Sequence, residues 1–163
     1  MEITRKGTPY QLEGIQPAAG EKAPDFSLSN LNGDQVSLAD FTNEVVVISV
    51  IPDIDTRVCA QQTRAFNEKA SKSEGVQLLT ISNNTEDQQR NWCAGEGLEM
   101  EMLHDTSLTF AQAYGLYMPG LKKLARSVFV IDRKGTIVYQ EIVPEMVDEP
   151  DYEAVIEAAI SAR

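Results

Sequence analysis

A chain of 163 residues, 42% apolar and 24% charged, is long enough to enclose one core, and nothing in its composition demands two domains. Its formal net charge of −11 argues against electrostatic binding to nucleic acid or to an anionic membrane surface, both of which need a basic patch to displace counterions. No apolar run approaches the roughly 20 residues of a membrane span, and Met1-Glu2-Ile3-Thr4-Arg5-Lys6 has no apolar signal core, so a cytoplasmic protein is the expectation.

In chain order, residues 2–4 and 10–12 are short strand candidates around the turn-like Lys6-Gly7-Thr8-Pro9. They predict a hairpin within an N-terminal extension, residues 1–16, of a single domain over 1–163. Pro17, Gly20 and Pro24 then mark an extended connector. Phe26 and Leu28, and again Val36 and Leu38, alternate with polar residues on either side of Asn32-Gly33, a second hairpin signal. The run 45–51 is β-branched almost throughout, as in a central strand buried on both faces. After Pro52, Asp55 or Thr56 can cap a helix whose Val58, Phe66 and Ala70 fall at helical spacing, which places Cys59 in its first turn.

Residues 77–82 read as the next strand, and Thr85 with Gln88 makes a capping box for a helix through about Ala94. Cys93 falls in its last turn beside Gly95 and Gly97, glycines that allow the segment to loosen. A short strand over 100–103, a short helix over 107–114 ended by Gly115, and a loop at Met118-Pro119-Gly120 follow. Residues 126–131 and 136–140 flank Asp132-Arg133-Lys134-Gly135 as an antiparallel hairpin, and Tyr152, Val155, Ile156, Ala159 and Ile160 form the apolar stripe of a closing helix after Pro150. This order predicts an α/β protein of thioredoxin-like arrangement: a mixed sheet with a parallel half and an antiparallel edge, flanked by helices.

The two cysteines are too far apart in sequence for a Cys-X-X-Cys motif, and a lone histidine, His104, cannot complete a four-ligand metal site with them. In a reducing compartment they are either inert buried thiols or a working redox pair. A thiol in the first turn of a helix meets backbone N–H groups and the positive end of the dipole, both of which favour thiolate. Arg57, Arg64 and Arg126 all compete to supply a cation. Glu99, Glu101 and Asp105 near His104, and Asp148, Glu149, Asp151 and Glu153 near the last helix, receive structural readings.

Pro52, Thr56 and Cys59 stand in the Pro-x-x-x-Thr-x-x-Cys pattern of peroxiredoxins. The text from Pro52 to Cys59 with Arg64, Phe66 and Asn67, the segment from Trp92 through Cys93 to Leu98, and the later landmarks 124–132 and 149–153 resemble the bacterial thiol peroxidase subgroup along essentially the whole chain. The resemblance implies a peroxidase acting on hydrogen peroxide and organic hydroperoxides. It implies Cys59 as peroxidatic nucleophile and Cys93 as resolving thiol of the same chain, with Thr56, Arg126 and Pro52 completing the site. It further implies a thioredoxin-type reductant, a homodimer, and no metal or organic cofactor. Because the two cysteines lie in separate helices, forming a disulfide is expected to unwind one or both helix ends.

Overall fold

The computed structural model describes residues 1–70, 74–97 and 100–163; Leu98 and Glu99, named above, lie outside these. The strands β1 (Glu2–Arg5) and β2 (Thr8–Gln11) form an antiparallel ribbon. Thr8 and Pro9, read from sequence as turn residues, pair instead with Arg5 and Thr4, because Lys6 and Gly7 both take positive φ and close the turn in two residues. The ribbon is tied down by the Glu145 carboxylate, which accepts the N–H groups of Gly7 (2.9 Å) and Lys6 (3.1 Å) and the Thr4 hydroxyl (3.0 Å).

The chain continues through β3 (Ser27–Asn30), β4 (Gln35–Ser37), a single 3-10 turn (Leu38–Phe41), β5 (Val45–Val50), α1 (Arg57–Lys69), β6 (Val76–Ser82) and α2 (Glu86–Glu96). It then forms β7 (Met102–His104), α3 (Thr109–Tyr114), β8 (Tyr117–Met118), β9 (Lys123–Leu124), β10 (Ser127–Ile131), β11 (Ile137–Ile142) and α4 (Tyr152–Ser161). The main sheet runs β11-β10-β5-β6-β7-β3-β4. Strands β5, β6 and β7 are parallel, and antiparallel hairpins close both margins rather than the one edge expected. The difference comes from β3, which takes the free edge of β7 through Ser29 opposite His104.

Every residue of β5 is buried, and its side chains alternate between two layers. Val45 and Val47 pack with Phe66 of α1 and with Val155 and Ala159 of α4, whereas Val46, Ile48 and Val50 belong to the core that holds Phe110 and Tyr114 of α3. This is the helix-covered central strand of a thioredoxin-like fold. Pro119 and Gly120 lie in the turn of the β8–β9 ribbon, and Met118, read as part of the same loop, belongs to β8, the strands being too short to show periodicity. Gly115 caps α3 at φ 65°, and a Cβ there would lie 2.7 Å from the Ile15 carbonyl group, so the position requires glycine.

Of the acidic residues, Asp105 and Asp151 act structurally. Asp105 is fully buried and accepts the N–H groups of Phe110 (3.1 Å) and Ala111 (2.9 Å) at the start of α3, and Asp151 accepts that of Ala154 (3.1 Å) in α4. His104 is half-buried, with no hydrogen-bond partner for Nδ1 among the described residues. Among the described residues no helix is long and apolar enough to cross a membrane, and no three His, Cys, Asp or Glu side chains group as metal ligands.

Candidate active site

The site is built at the carboxyl end of β5. Ile51 still donates to Ile81 O (3.0 Å), but Pro52 has no N–H to continue the ladder and the chain leaves the sheet. A turn follows in which the Thr56 N–H (3.1 Å) and hydroxyl (2.7 Å) both donate to Asp53 O, and Asp55 N–H donates to the Asp53 carboxylate (3.1 Å). Buried Asn84, from the segment between β6 and α2, pins this turn from below. Its Oδ1 accepts Ile54 N–H (2.9 Å), and its Nδ2 donates to Asp53 Oδ1 (3.0 Å) and Gln88 Oε1 (3.2 Å). Helix α1 therefore starts in a fixed direction, and its third residue, Cys59, points inward at 1% exposure among Ile51, Ile54 and Met102.

Two donors converge on that sulfur. Asp53 N–H lies 3.4 Å from Cys59 Sγ and Arg126 Nη2 lies 3.3 Å from it. Arg126 arrives there through the register of β10, which sets Ser127 opposite Val50 and leaves the preceding residue beside the chain that exits β5. At 2% exposure its guanidinium is aimed by two further bonds, Nε to Met146 O and Nη1 to Gln62 Oε1, each 2.9 Å. Gln62, buried in α1, is itself held by Ser49 Oγ (2.9 Å) and Val50 O (3.3 Å). A guanidinium aimed by bonds from Nε and Nη1, a backbone N–H and the amino end of a helix favour negative charge on sulfur and on oxygen atoms arriving beside it.

Of the residues singled out from sequence, Pro52, Cys59 and Arg126 meet here. Thr56 sits at the N-cap position, exposed, and makes no side-chain cap bond. Its hydroxyl proton is directed to Asp53 O rather than to sulfur, which leaves the hydroxyl oxygen as an acceptor facing solvent. Cys93 is half-buried in α2 and shares the apolar cluster of Cys59 with Trp92, Met100 and Met102. Its Sγ lies 4.0 Å from Met102 Sδ, burial pushes its thiol pKa up, and both cysteines are free thiols. Helix α2 continues past Ala94 to Glu96, because Gly97 supplies a left-handed cap at φ 65°. Arg57 is exposed at the start of α1, and Arg64 reaches α2 instead of the sulfur.

The AhpC/TSA family model matches residues 19–140. The chain belongs to the AhpC/TSA family. Over 163 residues, 99% of both chains, it is 47% identical to a thiol peroxidase of Listeria innocua. It is 46% identical to a thiol peroxidase of Bacillus subtilis over 160 residues, 97% of this chain and 96% of that one. The crystal structure of a peroxiredoxin-like protein from Aquifex aeolicus superposes with a TM-score of 0.93 at 28% identity, covering 99% of this chain and 97% of that one. The likeness to the thiol peroxidase subgroup that the motifs suggested is met along the whole chain, and the protein is an enzyme of the peroxiredoxin type.

In this AhpC/TSA protein several residues that shape the site went unread in the sequence. Gln62 stands three positions after Cys59 on the same inward face of α1, a spacing that is visible once Cys59 is taken as the centre. Asn84 gave no signal, since only the tertiary approach of β6 brings it under the turn. Asp53 and Lys123 form an ion pair across the mouth of the site, Nζ to Oδ2 3.4 Å, between segments that the sequence does not connect. The Asp53 carboxyl is desolvated, yet the Asn84 amide, the Asp55 N–H and Lys123 together hold it below the usual carboxylate range.

Proposed function

We propose that the protein reduces hydrogen peroxide and organic hydroperoxides through Cys59, in antioxidant defence. The Cys59 thiolate attacks one oxygen of the O–O bond, which breaks and releases the other oxygen as alkoxide or hydroxide, and sulfur becomes a sulfenic acid. Charge moves from sulfur to the leaving oxygen, so a donor reaching both lowers the barrier, and Arg126 is the group placed to do so. Pro52 keeps solvent from the thiolate, and Thr56, one turn before the nucleophile, contacts the incoming peroxide. The Cys93 thiol then attacks the sulfenic sulfur, giving an intrachain Cys59–Cys93 disulfide and water, and a thioredoxin-type dithiol protein reduces that disulfide. The working unit is a single-domain chain acting as a cytoplasmic homodimer without metal or organic cofactor.

The observation that carries this reading is the pair of donors on a buried Cys59 sulfur, with the second thiol in the same apolar cluster. The test compares Cys59→Ser with Cys93→Ser on substoichiometric peroxide. Consumption is expected to vanish in the first and to survive for a single turnover in the second. Consumption that persists without Cys59 would remove the nucleophile assignment.

A further inference from the structure

We infer that Arg64 is a latch on the resolving helix, a positioning residue that governs how readily Cys93 is released toward Cys59. This rests on the reading of Cys93 as the resolving thiol. Arg64 lies on α1 just over one turn beyond Cys59, and its side chain crosses to α2, where it engages residues on both sides of Cys93. Its Nε donates to Glu96 Oε1, and its guanidinium stands 5.9 Å from the centre of the Trp92 ring. One side chain on the peroxidatic helix therefore holds the turn that carries the resolving cysteine.

The turn is otherwise held by the Gly97 N–H, which donates to Cys93 O and Ala94 O, and by the packing of Trp92 and Cys93 in the cluster with Met102. Gly95 lowers helix propensity within it, and the Glu96 carboxylate faces the negative end of the α2 dipole. The Arg64 cation offsets the Glu96 charge and covers Trp92 at once. Arg64 of α1 and Glu96 of α2 form the ion pair at this turn, while Arg90 pairs with Glu86 at the other end of α2. The ion pair is half-exposed, so its effect together with the ring contact is modest, about a three- to tenfold change in the opening equilibrium of the turn.

A modest latch has a chemical consequence because the sulfenic acid on Cys59 has two fates. Attack by Cys93 gives disulfide and water, whereas a second peroxide oxidises the sulfenic acid to sulfinic acid with loss of alcohol or water. Slower opening at Cys93 favours the second fate, so Arg64 sets the peroxide concentration at which the enzyme overoxidises.

The test uses the reduced full chain and its single tryptophan, Trp92, as the reporter in rapid mixing with hydrogen peroxide. In Arg64→Gln the peroxide-dependent phase is expected to stay within about twofold of the parent. The following concentration-independent phase is expected to accelerate about three- to tenfold, with the peroxide needed for half-sulfinylation, read by intact mass, rising by the same factor. Arg64→Lys, which keeps the ion pair, should fall back toward the parent. Adding Glu96→Gln to Arg64→Gln should accelerate the second phase no further than Arg64→Gln alone, because the single change already removes both contacts. A second phase unchanged or slowed in Arg64→Gln would overturn the latch. Amide hydrogen exchange of residues 94–97 in the reduced protein, which needs no disulfide, should be faster in Arg64→Gln. Unchanged exchange also overturns the latch, whereas faster exchange in a chain that never forms the Cys59–Cys93 bond would overturn the resolving role of Cys93 instead.

Discussion

Arg126→Met keeps most of the length of the side chain and removes every donor it carries. Three bonds disappear together, to Met146 O, to Gln62 Oε1 and to Cys59 Sγ. A hydrogen bond to a charged group contributes about 1.5–3 kcal/mol, and each factor of ten in rate corresponds to about 1.4 kcal/mol. Loss of the bond to sulfur alone therefore lowers the second-order rate of peroxide consumption about ten- to a hundredfold. Met146 O and Gln62 Oε1 also lose a buried partner, so urea unfolding should show a drop in stability of about 1–3 kcal/mol per acceptor at most. Arg126→Lys keeps the positive charge, but one ammonium cannot reproduce the fork that serves all three acceptors, and an intermediate rate is expected. The assay is single-turnover peroxide consumption by protein shown to be folded. A rate for Arg126→Met within about twofold of the parent would refute the view that the guanidinium stabilises charge in this reaction.

Asn84→Ala leaves Ile54 N–H without its buried acceptor and removes one of the partners of the Asp53 carboxylate, so it is expected to cost about 1–3 kcal/mol in urea unfolding. The same change should slow peroxide consumption, because the Asp53 N–H is no longer aimed at sulfur; unchanged rate and stability would contradict the pinning role. Since burial raises the Cys93 pKa, alkylation of Cys93 in reduced Cys59→Ser protein should climb about tenfold per pH unit and keep rising beyond the ordinary thiol range near 8.5. A plateau below pH 8 would run against that burial. Glu145 is held down to about 2, chiefly by the Gly7 N–H and then by that of Val147. A carboxylate whose folded pKa is depressed contributes above its unfolded value and is lost as pH falls through the folded one. The β1–β2 ribbon should therefore stay docked from neutral pH to about pH 2, as read by the Gly7 amide shift, and release at pH 4 would contradict the anchoring.

Much of the fold was legible because the signals were local. The β-branched run of β5 and the Thr85–Gln88 capping box of α2 each lie within one segment, and both appear where expected. The addition of β3 to β7 and the β8–β9 ribbon were not legible, since pairing partners for such short strands are chosen by the edges that the rest of the sheet leaves open. The site divides in the same way. Cys59 in a first helical turn follows from neighbouring residues, but the contest among Arg57, Arg64 and Arg126 is decided by the register of β10 on β5, which no local pattern encodes. The Thr56 hydroxyl bonds to Asp53 O because the tight turn presents that carbonyl at 2.7 Å, a contact that no local pattern announces. Helix α2 runs two residues past Ala94, through Gly95, and ends where Gly97 enters the left-handed region.

The central claim is that two thiols that are free and housed in separate helices are partners in one catalytic cycle. Its most direct test is to treat the reduced protein with one equivalent of hydrogen peroxide, block remaining thiols and map the peptides by mass. A single intrachain Cys59–Cys93 disulfide and no free thiol are expected. Recovery of Cys93 as a blocked thiol beside an oxidised Cys59, or of a disulfide joining two chains, would contradict it.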